Sequence, residues 1–490
     1  MGALVAAVNK KGNNVVRRVV IMLKELNHRG KDAHGVATQK SATVASTIET
    51  LNIQNCNSNV ALGHNLSRIL PRDQPQPVRT KDFIVVFEGR LFPFPKVLTE
   101  MPETTEIIQK LASNPVKNAS QIVESLEGSY AFAVLTSNSI IVGRDLFGTE
   151  PLYYGENEVI CAVASERKAL WKIQLHDVKP FPSGHLALMN KGGFTFKQVK
   201  ALRRPPRETV NMETAAKALR LILLEAIRKR ASDLDRVAVA FSGGVDSSVI
   251  AALADSVGLD VQLISVGLDD QPEVGFAEEA AEALELPLYI QTFTTSYLKE
   301  TFDKVLWLIE EPHPVKASIA VPFFWTAEVA SKLGFPVLFA GQGADELFGG
   351  YQRYLTKYVE SDAEAVDDAM FRDVENSYQA NLQRDNQVCS YHGVELRLPY
   401  VDRDVVAFSL RLPLRLKIAS TKDVLRKRVL REVAHNLAIS ACIADKPKKA
   451  VQYTTGVTKA LQQLARKEDL TLREYVKKRF SSIYKNTQLK

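Results

Sequence analysis

Four cysteines in 490 residues, Cys56, Cys161, Cys389 and Cys442, stand far apart, with no C-x-x-C pair and no Cys/His spacing that suits zinc. That excludes a disulfide framework and leaves buried thiols in a reducing compartment as the expectation. Long apolar runs are missing as well. No stretch approaches the roughly 20 residues of a membrane-crossing helix, and no apolar segment follows the first charges, so a cytoplasmic protein without a membrane partner is expected. The net charge of +7 is dispersed, apart from Lys446, Lys448 and Lys449 and then Lys477, Lys478 and Arg479. Without aromatics interleaved among these residues, a nucleic-acid partner is not expected.

What is present is ordinary globular composition, 46% hydrophobic and 24% charged, in a chain long enough for two or more cores. The first two hundred residues alternate short apolar runs with turn signals: Ile84 to Phe87, Tyr130 to Leu135, Ile140 to Val142, Val159 to Val163 and His185 to Met189. Helical spacing occurs at Val15 to Leu26 and Glu106 to Leu111, which predicts a β-rich α+β domain. Arg203-Arg204-Pro205-Pro206-Arg207 then suits a linker. Beyond it, an amphipathic helix over Met212 to Arg230 precedes fully apolar strands at Val237, Val261 and Pro336, with a helical stretch at Ala277 to Leu284. Strands alternating with helices predict a parallel sheet whose ligands sit at the strands' carboxyl ends.

The densest chemistry lies at one such end, Phe241-Ser242-Gly243-Gly244-Val245-Asp246-Ser247-Ser248. A strand, a glycine turn and a helix start bring backbone N–H groups and hydroxyls to one point, which makes an anion cradle. Asp246 puts a carboxylate where Mg2+ bridging phosphates would sit. The lysine of G-x-x-x-x-G-K-[ST] is absent, so this is not the common P-loop. A packing turn with no ligand is the plain alternative. A second glycine-rich loop, Gly341-Gln342-Gly343-Ala344-Asp345-Glu346, supplies Asp345 as a second metal carboxylate.

These two loops, with Val394-Glu395-Leu396-Arg397-Leu398-Pro399, Leu425-Arg426-Lys427 and Lys446-Pro447-Lys448-Lys449, resemble the synthetase domain of glutamine-dependent asparagine synthetases over roughly residues 210 to 456. The resemblance implies an adenine nucleotide alpha hydrolase (PP-loop) fold and an ATP-dependent, AMP-forming ligase that adenylates a carboxylate, aspartate in the family, and passes it to ammonia. It implies that Ser242, Gly243, Gly244, Asp246, Ser247 and Ser248 hold pyrophosphate and that Asp246 and Asp345 hold Mg2+. By the same likeness Ser265, Val266 and Gly267 receive adenine beside Gly341, and Lys448 or Lys449 acts near the phosphates. Gln342 stands where the familiar bacterial enzyme has Glu. An amide cannot accept a proton, which leaves the amine open. Glu395 and Arg397 are either site residues or a packing ion pair, and Asp402 and Asp404 fit a helix cap better than chemistry. The acid-binding residues are expected in loops around Pro314 to Ser318 and Gln383 to Asp385.

The first half resembles that family's class II glutamine amidotransferase domain, an Ntn-hydrolase-like αββα fold, through His28-Arg29-Gly30, Gly63-His64, Glu127-Gly128-Ser129-Tyr130 and Arg144-Asp145-Leu146-Phe147-Gly148. Domains over 1–205 and 206–490 follow. The family's nucleophile is a cysteine after the initiator methionine, and Gly2 stands there. Its Arg after Gly-His-x falls on Leu66, its Asn-Gly-Glu on Glu88-Gly89-Arg90 and its Asp before Thr-Glu on Thr104, so a glutaminase is not expected. The expectation is an amide-forming ligase using ATP and Mg2+, with ammonia or another amine. A homodimer and a separate ammonia-supplying protein are the macromolecular partners it allows. The alternatives are a β-lactam-synthetase-like ligase for a different acid and amine, or a nucleotide-binding regulatory homologue.

Overall fold

A computed structural model describes residues 2–92, 102–111, 114–269, 273–447 and 454–485. The chain forms two compact units, one reaching Leu202 and including the segment from Tyr484, the other Arg203–Ile483. Residues 199–211 carry no helix or strand, as expected where charge and proline interrupt the pattern.

The first unit stacks two antiparallel sheets between helices. In the seven-stranded sheet Gly2–Asn9 lies between Ile160–Ala164 and Val60–Leu66. Period-two alternation gives this strand two buried faces. Ala3, Val5 and Ala7 pack with Val16, Val19 and Leu23 of the helix Val16–Glu25, while Leu4, Ala6 and Val8 share a core with Val86, Ala133 and Val142 of the six-stranded sheet. The outer face of that second sheet, with Val85, Phe87 and Phe132, is covered by Ile107, Leu111 and Ile122 from the helices Glu103–Leu111 and Pro115–Ser125. The layer order is the αββα arrangement that the resemblance implies.

In the second unit five parallel strands run in the order Leu288–Phe293, Asp260–Leu268, Arg236–Ala240, Val337–Phe339, Glu395–Arg397. The chain builds outward from Arg236–Ala240 in one direction and then returns to build in the other. The order therefore reverses between Arg236–Ala240 and Val337–Phe339, and both glycine-rich loops leave from the ends of those two strands. A reversal point of this kind opens a crevice at the carboxyl ends, where ligands of open parallel sheets bind. The helix Pro314–Lys332 covers one face, burying Trp325 and Phe324 with Phe302, Val305 and Leu306 from Thr295–Ile309.

Two expectations are corrected. The segments around Pro314 to Ser318 and Gln383 to Asp385 are helical rather than looped. Pro314 sits in the first turn, where its missing N–H costs nothing, and His313 caps that turn through Lys316 N at 3.3 Å. Of the cysteines, Cys161 and Cys389 are buried as expected, but Cys56 is only half-buried and Cys442 is exposed on the short helix Ala441–Ala444.

Glu395 and Arg397, two apart on one strand, share a side of the sheet and pair at 2.6 Å, and Arg397 also pairs with Asp233 at 2.5 Å. Asp402 caps Arg403–Arg411 through Asp404 N at 2.9 Å and pairs with Arg230 at 2.8 Å. All are framework. Arg397→Met removes the guanidinium from two buried carboxylates and is expected to cost about 3–5 kcal/mol in denaturant unfolding. A loss below about 1 kcal/mol would show that these carboxylates do not depend on it.

Candidate functional site

The loop after Arg236–Ala240 is closed on itself by its serines. Ser247 Oγ donates to Gly244 O at 3.1 Å, and Ser242 and Ser247 hydroxyls lie 3.4 Å apart. Gly243 has φ +67°, and a Cβ there would come within 2.8 Å of the Phe276 ring. Gly244 then caps the helix Val245–Ser256, whose first turn carries Asp246. At the next strand end, a Cβ at Gly341 would lie 3.0 Å from Asp246 Cβ, so the glycine lets the two loops approach. Gly343, at φ +96°, caps the turn of helix Ala344–Phe348 that bears Asp345.

The two aspartates converge on Lys427. Its Nζ lies 2.7 and 2.6 Å from the Asp246 carboxylate oxygens and 2.5 Å from Asp345 Oδ1. The lysine is fully buried. Tyr400 braces the same loop by donating its hydroxyl to Asp246 O at 3.1 Å, and burial with the nearby Asp246 charge raises its phenol pKa well above the ordinary value.

Asp246 and Asp345, though not Lys427 or Tyr400, line a cavity of about 560 Å³ at the strand ends. Of the residues singled out from the sequence, Ser242, Asp246, Ser247, Ser265, Val266, Gly341, Gln342 and Asp345 line it. Gly243, Gly244, Gly267 and Ser248 do not, and Ser248 Oγ is buried without a hydrogen-bond partner among the described residues. Lys448 and Lys449 lie outside the described residues.

Side chains at and behind this wall are tied to one another by hydrogen bonds. Gln342 donates its amide N–H to Asp385 Oδ2, and Asp385 in turn takes Arg384 Nε at 2.7 Å and Nη2 at 2.9 Å. Burial pushes the Asp385 carboxyl up, while Arg384 and the Gln342 N–H favour its charged form; with the Gln342 nitrogen on Asp385, the Gln342 carbonyl oxygen is left as an acceptor. Glu346 accepts from Tyr351 OH and Asn381 Nδ2, both at 2.6 Å; burial, with the Asp345 charge, raises its carboxyl above the ordinary range. Thr454 and Thr455 also line the cavity, Thr455 O accepting from Leu268 N–H at 3.0 Å. Glu346 follows Asp345 in the motif and was within reach of sequence reasoning; Thr454 and Thr455 were not.

Among the described residues no three His, Cys, Asp or Glu side chains gather as a metal cage. Two converging carboxylates beside a phosphate-sized glycine loop nevertheless suit Mg2+, which binds through one or two carboxylates together with substrate phosphates. Preorganised N–H groups and a helix N-terminus suit the same place to an anion such as a phosphate.

The matching region of the first unit is packed shut. A Cβ at Gly2 would overlap the Asn65 carbonyl oxygen and lie 3.2 Å from Glu88 Oε2. Glu88 pairs with His64 at 2.9 Å; burial opposes its ionisation, but the positive groups around it, His64 among them, hold its carboxyl below the ordinary value. Arg90 binds Asp73 through two contacts of 2.5 and 2.7 Å and reaches Glu103 at 3.3 Å, while Arg72 takes Glu103 at 3.1 Å. Thr104 accepts from Gln74 at 2.9 Å. These ion pairs leave a cavity of about 20 Å³, the space of one water.

Comparison with known proteins agrees with both halves. A glutamine amidotransferase domain model matches residues 1–202, and an asparagine synthase model matches 218–365 and 355–482. A Methanocaldococcus jannaschii protein named as a candidate glutamine-hydrolyzing asparagine synthetase is 29% identical over 93% of this chain and 94% of its own length. Human glutamine-hydrolyzing asparagine synthetase is 25% identical over 81% of this chain and 76% of its own. With the asparagine synthase match extending from 218 to 482, more than half of the 490 residues, the chain belongs to the asparagine synthase family of ATP-dependent ligases.

Proposed function

We propose that the second unit adenylates the side-chain carboxylate of aspartate and transfers the acyl group to ammonia. A carboxylate oxygen attacks the α-phosphorus of ATP, the bond to the β-phosphate oxygen breaks, and pyrophosphate leaves. Ammonia then attacks the acyl carbonyl, AMP departs, and the nitrogen gives up a proton to solvent. The observation that carries the reading is the convergence of Asp246 and Asp345 at the rim of a cavity that also holds Ser242, Ser247 and Ser265.

In this reading Ser242 to Ser248 cradle the pyrophosphate, and Asp246 and Asp345 hold Mg2+, which supplies charge to the departing diphosphate when bound. Ser265, Val266, Gly267 and Gly341 border the adenosine. Gln342, its nitrogen held by Asp385, offers its oxygen to an amine N–H and orients the nucleophile without taking its proton. Lys448 or Lys449 keeps a transition-state role by family resemblance alone.

The first unit acts as a scaffold without glutamine hydrolysis, although the relatives above are named glutamine-hydrolyzing. The support is physical: the nucleophile's place has no room for a side chain, and ion pairs fill the pocket. The protein works in the cytoplasm with ammonia that is free or delivered by another protein.

Incubation with ATP, Mg2+ and aspartate is expected to release pyrophosphate and AMP, with asparagine formed from ammonium and not from glutamine. ADP as product, or glutamine serving as well as ammonium, would contradict it. Gln342→Ala is expected to keep aspartate-dependent pyrophosphate release while asparagine formed per pyrophosphate falls about tenfold or more. Equal losses in both would remove Gln342 from the amine step. Gly2→Cys is expected to stay without glutaminase activity and to lose about 1–3 kcal/mol of stability through overpacking. Steady glutamate release by that variant would overturn the scaffold reading.

A further inference from the structure

We propose that Arg353 is a specificity-determining residue of the acid site: its guanidinium takes the carboxylate that is not activated, so the acid must carry a second anionic group. The inference rests on the reading that the second unit activates its acid in this cavity.

Among the described residues the basic side chains lining the cavity are His313, Lys316, Arg353 and Arg384. Three of them are engaged by the protein itself. Lys316 Nζ donates to Glu311 Oε2 at 2.5 Å and to Gln379 O at 2.8 Å. Arg384 gives Nε and Nη2 to Asp385, and its Nη1 reaches Ala380 O at 3.3 Å and Asn381 Oδ1 at 3.2 Å. His313 Nδ1 accepts from Lys316 N and closes its helix turn. Arg353 differs. Its one hydrogen bond among the described residues runs from Nη2 to Asp373 Oδ2 at 2.8 Å, which leaves most of its N–H donors unused. A planar fork of this kind matches a carboxylate through two parallel bonds.

Stacking and one ion pair fix where the fork points. The guanidinium carbon lies 4.3 Å from the centre of the Tyr351 ring, and Asp373, which also accepts from Tyr354 OH at 2.6 Å, holds one edge. Tyr351 in turn donates to Glu346, the neighbour of Asp345 in the chain, at 2.6 Å. A single aromatic ring therefore links Arg353 to the turn that bears Asp345. Charge argues the same way. Glu346 and Asp373 also line the cavity, and without a cation beside them they would turn a second carboxylate away. Arg353 stands in the first turn of the helix Gln352–Glu360, where there is no acidic residue and a cation opposes the helix dipole. Asp373 answers that charge on one edge, and a substrate carboxylate answers it on the other.

The test is the steady-state kinetics of pyrophosphate release by the full chain, wild type and Arg353→Met, with ATP, Mg2+ and paired acids. The pairs are aspartate with 3-aminopropionate, which is aspartate without its α-carboxylate, and glutamate with 4-aminobutyrate, related in the same way. Where the shorter acid does not turn over, its inhibition constant is read instead. The Arg353 side chain is 61% exposed and Asp373 keeps the Tyr354 hydroxyl, so the variant is expected to fold. It is expected to raise the KM for the dicarboxylate about tenfold or more, and to leave the constant for the shorter acid and the KM for ATP within about twofold. Equal losses on both acids of a pair would overturn the inference, as would a wild type that releases pyrophosphate only with monocarboxylic acids. A raised KM for ATP or weaker inhibition by pyrophosphate, with the dicarboxylate unaffected, would assign the guanidinium to phosphate and overturn it too. Use of glutamate in place of aspartate would end the aspartate reading alone, because the same comparison then decides on the glutamate pair.

Discussion

Three charges of alternating sign, Asp246, Lys427 and Asp345, are the constraint around which the second unit is arranged. Lys427 and Asp246 lie 181 residues apart in the chain, yet they meet at 2.6 Å inside a fully buried contact on the lysine side. Such a contact is costly to form and costlier to break, because removing the buried ammonium takes a charge partner from both carboxylates at once. It ties the glycine loop after one strand to the helical turn after another and to the strained turn at Arg426, so the spacing between the two loops is fixed by electrostatics as much as by the sheet.

The sheet brings the loops to that spacing. Arg236–Ala240 and Val337–Phe339 are neighbours at the point where strand order reverses, and only there do two successive strand ends open side by side without a crossing helix between them. Gly341 removes the side chain that would hold the loops apart, and Gly343 turns the chain so that Asp345 faces Asp246 across the gap. The cavity that results has a cradle at one wall and, at the other, the Gln342 and Asn381 amides and the Glu346 carboxyl, which burial raises above the ordinary range.

Much of this could be read from residues alone because the informative stretches are local. The strand at Val237, the turn at Ser242 and the helix start at Asp246 form one uninterrupted signal, and the same holds for Gly341 to Glu346. Lys427 was different. It lies in Leu425-Arg426-Lys427, and nothing in those three residues encodes left-handed backbone or a partner 181 residues away. Asp385 was named only within a loop expected to bind the acid; that its segment is a helix and meets Gln342 is visible only in the fold. In the first unit the substitutions at Gly2, Leu66, Arg90 and Thr104 were legible one by one, but their joint effect, a pocket refilled by ion pairs between Arg72, Asp73, Arg90 and Glu103, was not, because Arg72 and Asp73 gave no signal at all.

The two halves thus handle buried charge in opposite ways. In the first, opposite charges pair and close the space; in the second, Asp246 and Asp345 meet a buried lysine while also lining an open cavity. The central claim about the second half is that a carboxylate becomes bonded to the α-phosphorus of ATP there. Turnover of aspartate carrying oxygen-18 in its side-chain carboxylate tests that bond directly. The account predicts one labelled oxygen in each AMP formed; AMP free of label would contradict it.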